Sequence, residues 1–84
     1  MDNLTLRHNG ELHRFGSIEQ KEIFIFNNPG DFIEHFETQS KANAFMRDLD
    51  KSAYQLDGYG VDSRNVAYPY YVAYHSEKEE KICV

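Results

Sequence analysis

The sequence contains no tryptophan, a single cysteine and two prolines, and each scarcity excludes something. Cys83 has no internal disulfide partner, and small secreted domains usually rely on several bridges, so a reducing, cytoplasmic home is expected. The longest strictly apolar run is Ile23-Phe24-Ile25-Phe26, far short of the roughly 20 residues that cross a bilayer. Met1-Asp2-Asn3 carries neither the basic region nor the apolar stretch of a secretory leader. Positive charge is in short supply as well: nine Lys and Arg stand against fourteen Asp and Glu, a formal net charge of −5. That sign opposes nucleic acid, whose phosphates are held by Lys and Arg, and suits a partner with a basic surface. There is no P-loop, no Gly-x-Ser-x-Gly and no Gly-x-Gly-x-x-Gly; Gly58-Tyr59-Gly60 reads as a helix stop.

What is present describes one folded domain. Eighty-four residues leave no room for two cores, and an aromatic content of 14%, all Phe and Tyr, is far above that of disordered chains. Leu4–His8, Asn9-Gly10 and Glu11–Phe15 form the strongest local signal, a β-hairpin on a type I′ turn. Its register pairs His8 with Glu11, Leu6 with His13 and Leu4 with Phe15, so Leu4, Leu6 and Phe15 share a face. Glu22–Phe26, apolar on both faces, predicts a central strand. Asn27-Asn28-Pro29-Gly30-Asp31 is turn chemistry, and Phe32–Glu37 is the return strand of a second hairpin, with a helix over Asp31–Glu37 as the competing assignment.

Thr38 is the expected N-cap of the one helix. Ala42, Phe45, Met46, Leu49, Ala53 and Leu56 recur every three or four residues and form its buried stripe, Gly58 closes it, and Tyr59 packs back on Tyr54. After a loop over Gly60–Asn65, Val66–His75 reads as a long strand. Pro69 makes that strand an edge or splits it. A solvated charged tail begins near Ser76. The predicted fold is α+β: a four- or five-stranded, mostly antiparallel sheet of two hairpins and a further strand, with a single amphipathic helix on one face.

Three chemistries are candidates. His8, Glu11 and His13 project from one face of the hairpin and could hold Zn²⁺, but a hairpin tip is open to water, and two surface histidines beside a glutamate is the preferred reading: no metal and no cofactor. His35 or His75 could serve acid–base chemistry in a pocket between helix and sheet, which an exposed strand edge imitates equally well. Cys83 lies too near a terminus to be a shifted nucleophile.

Tyrosine is the more informative feature, with all six from Tyr54 onward and four within Tyr68–Tyr74. Tyrosine offers contact area with a polar tip, which suits interfaces. Tyr59, Tyr68, Tyr70, Tyr71 and Tyr74, with Asp62 and Glu77 beside them, are therefore the expected partner-binding residues. The competing reading places Tyr68, Tyr70 and Tyr74 under the helix as core. Base stacking of single-stranded nucleic acid on these rings lacks a basic groove, Arg64 being the nearby cation.

The expected function is a non-enzymatic, acidic protein-binding module. It would act as a stoichiometric inhibitor or regulator of a nucleic-acid-handling protein, of the phage anti-defence, immunity or antitoxin type. Its partner would present a basic surface, with no direct nucleic-acid or membrane contact and a homodimer through the edge strand open to it. The alternative is a small-ligand binder or minor enzyme with a His and carboxylate pocket between helix and sheet.

Overall fold

Asn9 and Gly10 take φ of 51° and 88°, the two positive values that a type I′ turn requires, and close β1 (Thr5–His8) onto β2 (Glu11–Arg14). The register is the predicted one: Leu6 faces His13, His8 faces Glu11, and the Phe15 amide donates to the Leu4 carbonyl at 2.9 Å. In the computed structural model, which describes residues 3–76, the chain continues through α1 (Ile18–Asn27), β3 (Gly30–Phe36), α2 (Gln39–Asp48), β4 (Tyr54–Val61) and β5 (Tyr70–Ser76). The fold is α+β, with five antiparallel strands in the order β2-β1-β3-β5-β4 and two helices.

Glu22–Phe26 is helical and not a strand, so the second hairpin does not exist. Ser17 caps α1 by accepting from the Gln20 amide at 3.2 Å, and Asn28 closes it by donating its side-chain amide to the Phe24 carbonyl at 2.8 Å. Lys21, Phe24 and Ile25 turn toward the sheet, while Ile23 and Phe26 remain exposed. A helix apolar on its outer side as well carries no amphipathic signature, which is why Ile23–Phe26 resembles a buried strand. β3 forms as a strand, but its partners are β1 and β5.

α2 starts where expected, with the Thr38 hydroxyl accepting from the Lys41 amide at 3.2 Å. It ends at Asp48, ten residues short of the predicted stop at Gly58. Asp50 accepts from the Ser52 amide at 3.0 Å and the Ser52 hydroxyl at 2.6 Å, and Lys51 Nζ reaches the Met46 and Leu49 carbonyls at 3.1 and 3.2 Å. Those contacts end the helix and turn the chain into β4. Ala53 and Leu56 continue the three-four spacing by coincidence; Leu56 belongs to a strand, where Tyr54 and Leu56 alternate at a period of two. Tyr54 meets Tyr74 edge-on at 5.8 Å, and Tyr59 does not pack back on it.

β5 begins at Tyr70, so Val66–Pro69 lies outside the sheet, and the strand sits between β3 and β4 instead of at an edge. Pro69 precedes the first paired residue and its carbonyl accepts from the Asp62 amide at 2.6 Å. Pairing places Leu6, His8, Phe32, Glu34, Phe36, Tyr70, Val72 and Tyr74 on one face. Leu6, Phe32, Val72 and Tyr74 are buried there with Ala42 of α2. Phe45 of α2 rests on Phe36 and Tyr74 at 5.1 and 5.3 Å, and Phe24 of α1 rests on His8, His13 and Phe15 at 5.2, 4.9 and 5.3 Å. The opposite face carries Arg7, Asp31, Ile33, His35, Tyr71 and His75. No helix among the described residues is long and apolar enough to cross a membrane. Glu77 and Cys83, with the rest of the predicted tail beyond Ser76, lie outside the described residues.

Candidate functional site

β4, eight residues long, forms one border of the sheet, and among the described residues no strand pairs with its outer edge. On it Tyr59 is 66% exposed and Val61 is 65% exposed. Beside them a shallow groove of about 160 Å³ runs between β4 and the first turns of α2, lined by Ala42, Met46, Gly60 and Tyr70. An edge strand is a pairing template unless charge, proline or a bulge blocks it. β4 has one bulge, where the register passes from Leu56–Tyr74 to Gly58–Ala73 and leaves Asp57 as the extra residue. Gly58–Val61, beyond it, pairs regularly with β5 and carries no charge.

The residues singled out from sequence divide among three environments. Tyr59 alone among those tyrosines is on the sheet edge and largely exposed. Tyr74, 1% exposed, is core and offers nothing to a partner, whereas half-buried Tyr70 packs against the core and also lines the groove beside Tyr59 and Val61. Tyr71 is half-buried on the opposite face, with its ring 6.2 Å from the His35 ring; a Cβ at Gly60 would lie 3.1 to 3.2 Å from its atoms. Its ring therefore covers the glycine across the strand pair. Tyr68, in the β4–β5 connection, has its amide bonded to Asn65 Oδ1 at 3.1 Å and its side chain half-buried. Asp62 is engaged internally: it accepts from the Arg64 amide at 3.1 Å and lies 3.6 Å from His35 Nε2. The Arg64 amide is the main reason its carboxyl titrates below the usual range.

Between α1, α2 and the sheet lies a cavity of about 360 Å³ lined by Ile18, Ile25, Phe26, Phe45, Leu49 and Tyr54. Its floor holds a buried charge pair: Lys21 Nζ is 2.8 Å from Glu34 Oε1, and the Tyr74 hydroxyl donates to Glu34 Oε2 at 2.5 Å. Lys21 also donates to the Asn3 carbonyl at 2.8 Å. Burial, then the Glu34 carboxylate, pushes the Tyr74 phenol up, so it stays protonated as a donor.

No histidine lines that cavity. His35 and His75 belong to the opposite face of the sheet, but a smaller pocket of about 160 Å³ beside α1 and α2 is lined by His35 with Glu34, Glu37, Lys21 and Lys41, so a His and carboxylate pocket exists there without His75. His35 lines an open recess of about 420 Å³ with Arg7, Ile33, Asp62, Arg64 and Tyr71. Burial lowers its pKa despite the opposing pull of Asp62. His8 Nε2 lies 3.0 Å from the Pro29 carbonyl oxygen, and His13 stands 4.0 Å from Glu11. Both rings pack against Phe24 and so contribute to the seat of α1. A different set could hold a cation: Asp31, Asp57 and His75 place one ligand atom each within 4.8 Å of one another. Comparison with protein families, characterised proteins and solved structures found no match.

Sequence reading missed Val61, Ile23, Phe26 and the carboxylates around His75. The alternation of Tyr54 and Leu56 was the available signal for β4, masked by the helical stripe preceding it. Asp31 and Asp57 carry no local signal, since strand pairing between residues far apart in sequence brings them to His75.

Proposed function

We propose that the chain is a non-enzymatic protein-binding module that engages its partner through the β4 edge. The observation that carries this reading is the exposed pair Tyr59 and Val61 on an uncharged, regularly paired end of an edge strand. Such an edge adds a strand from a partner by main-chain hydrogen bonds, while the flanking side chains supply selectivity. The net charge of −5 favours a partner with a basic surface, which is the footing for a role as stoichiometric inhibitor or regulator of a nucleic-acid-handling protein. A cytoplasmic setting fits the single cysteine.

The test is capture from host lysate with quantitative mass spectrometry, using wild type against Tyr59→Lys and Val61→Lys. A basic protein retained by wild type and lost by both edge variants supports the reading. Capture indifferent to both variants overturns it.

The cavity beneath α1 and α2 favours a second reading, a small apolar ligand. Its lining is apolar, its floor is an ion pair, and exposed Phe26 stands in its wall. A variant that fills it, Leu49→Trp, would abolish ligand binding and leave edge-dependent capture intact.

A further inference from the structure

On the face of the sheet opposite the core, three neighbouring strands bring one potential metal ligand each to a single point. Asp31 of β3 is the direct cross-strand partner of His75 of β5. Asp57 of β4 is the extra residue of the bulge, and its two carboxylate oxygens both stand 2.8 Å from His75 Nδ1. One donor atom from each of the three residues falls within 4.8 Å of the other two. We propose that Asp31, Asp57 and His75 form a binding site for a divalent transition-metal ion, with Mn²⁺ and Zn²⁺ as the probes.

The chemistry follows from the donor set. Metal–oxygen and metal–imidazole bonds of about 2.0–2.2 Å place adjacent ligand atoms roughly 3–3.5 Å apart, so closing this cluster onto an ion asks for side-chain adjustments only. Two carboxylates converge on one imidazole, which when protonated offsets a single negative charge. A divalent cation in its place neutralises both. The imidazole selects against Mg²⁺ and Ca²⁺, which prefer oxygen alone, and the two carboxylates select against Cu⁺. Asp31 and Asp57 are exposed, so further coordination positions face solvent and are open to water or a ligand. The bulge has a use here, because an extra residue re-aims a side chain, and Asp57 is the one re-aimed. The ion would tie the edge strand β4 to β5 and β3 on the face of the sheet opposite to Tyr59 and Val61, whose cross-strand partners Val72 and Tyr70 belong to the core face. It is thus independent of the partner-binding reading.

The experiment uses the full chain with Cys83→Ser, which removes the thiol as a competing ligand. Calorimetric titration with Mn²⁺ and with Zn²⁺ should give one saturable site, together with a rise in melting temperature as metal is added. Asp31→Asn and Asp57→Asn should each weaken binding at least about tenfold, the minimum loss seen when even an outer-sphere partner is removed, and His75→Gln should do the same. Glu11→Gln, at the hairpin tip, should leave it unchanged. Paramagnetic broadening by Mn²⁺ should centre on residues 31, 57 and 75. Binding should weaken on acidification, because the ion competes with a proton for His75. Absence of saturable binding up to about 1 mM metal, the weak limit of functional protein sites, overturns the proposal. So does binding that survives all three variants, or broadening centred elsewhere.

Discussion

Lys21 of α1 and Glu34 of β3 meet at 2.8 Å inside the core, with 5% and 6% of their surfaces exposed. The pair pins the helix that sequence pattern could not place. Replacing one member strands the other as an uncompensated buried charge, which costs about 3–5 kcal/mol, whereas exchanging both for apolar groups is often neutral. Lys21→Met and Glu34→Leu should each lower the urea midpoint severely, and the double variant should recover most of the loss. A double variant as unstable as the sum of the singles would show that the pair does not act as a unit.

Phe32 is fully buried against Tyr74, with ring centroids 5.2 Å apart. Phe45 also touches Tyr74, but it is half-buried and borders the cavity. Phe32→Ala should cost about 3–5 kcal/mol, the usual loss for a buried phenylalanine. Phe45→Ala should cost less, because part of its surface already faces open space. Chemical denaturation of the two variants gives the order directly.

These two phenylalanines also mark what could be read in advance. The type I′ hairpin and the Thr38 cap depend on contacts within a few residues and are legible; the strand at Phe32 is legible from its residues, while its partners β1 and β5 are not. Tyr59 is exposed, but the sequence pattern points to the wrong strand, since β4 lies at a sheet edge and β5, expected there, does not. α1 was illegible because Ile23 and Phe26 face outward, removing the polar stripe that distinguishes a helix from a buried strand. The end of α2 was illegible because Asp50 and Lys51 stop it through side-chain hydrogen bonds while the apolar spacing runs on. Strand order, which makes β5 central and assembles Asp31, Asp57 and His75, is a long-range property with no local trace.

His35 gives a pH prediction. Its pKa is depressed from the usual 6.5 by burial, with Asp62 opposing, so the folded state holds fewer protons than the unfolded state just below that value. Stability is therefore full above about pH 6.5 and declines as pH falls toward the depressed value. His35→Gln should flatten this part of the melting-temperature curve, measured from pH 7.5 to 5. The depressed carboxyls of Asp62, through the Arg64 amide, and Glu37, through Lys41, act in the same direction at lower pH. A slope between pH 7.5 and 5 equal in both proteins would remove His35 as its source.

Gly30 has φ of +132°, and a Cβ there would approach Asn9 Oδ1 to 2.6 Å. That oxygen accepts from the Asp31 amide at 2.9 Å and holds the hairpin turn against β3. Gly30→Ala should cost about 1–3 kcal/mol, combining backbone strain with a displaced turn. Gly10→Ala has no such neighbour and carries the strain of positive φ alone, so it should cost less.

The last prediction separates contact from core among the tyrosines. Tyr59→Ala removes a ring that is two-thirds exposed, so folding stability should change by no more than about 0.5 kcal/mol. If the β4 edge docks the partner, the same change should weaken binding by about 2 kcal/mol or more, as for a hot-spot residue. Val61→Lys should act likewise by placing a charge where a strand must pair. Tyr74→Ala should unfold or severely destabilise the domain, because that ring lies in the core and its hydroxyl donates to Glu34. Asp62→Asn should disturb the loop bound through Arg64 more than it alters association rate, since the carboxylate is already engaged. Calorimetric melting and affinity for the captured partner, measured on the same set, give two orderings. Edge variants should head the list for binding and Tyr74→Ala the list for stability. Should the two orderings coincide, with every loss of binding matched by a loss of fold, the edge has no separate role and the docking surface lies elsewhere.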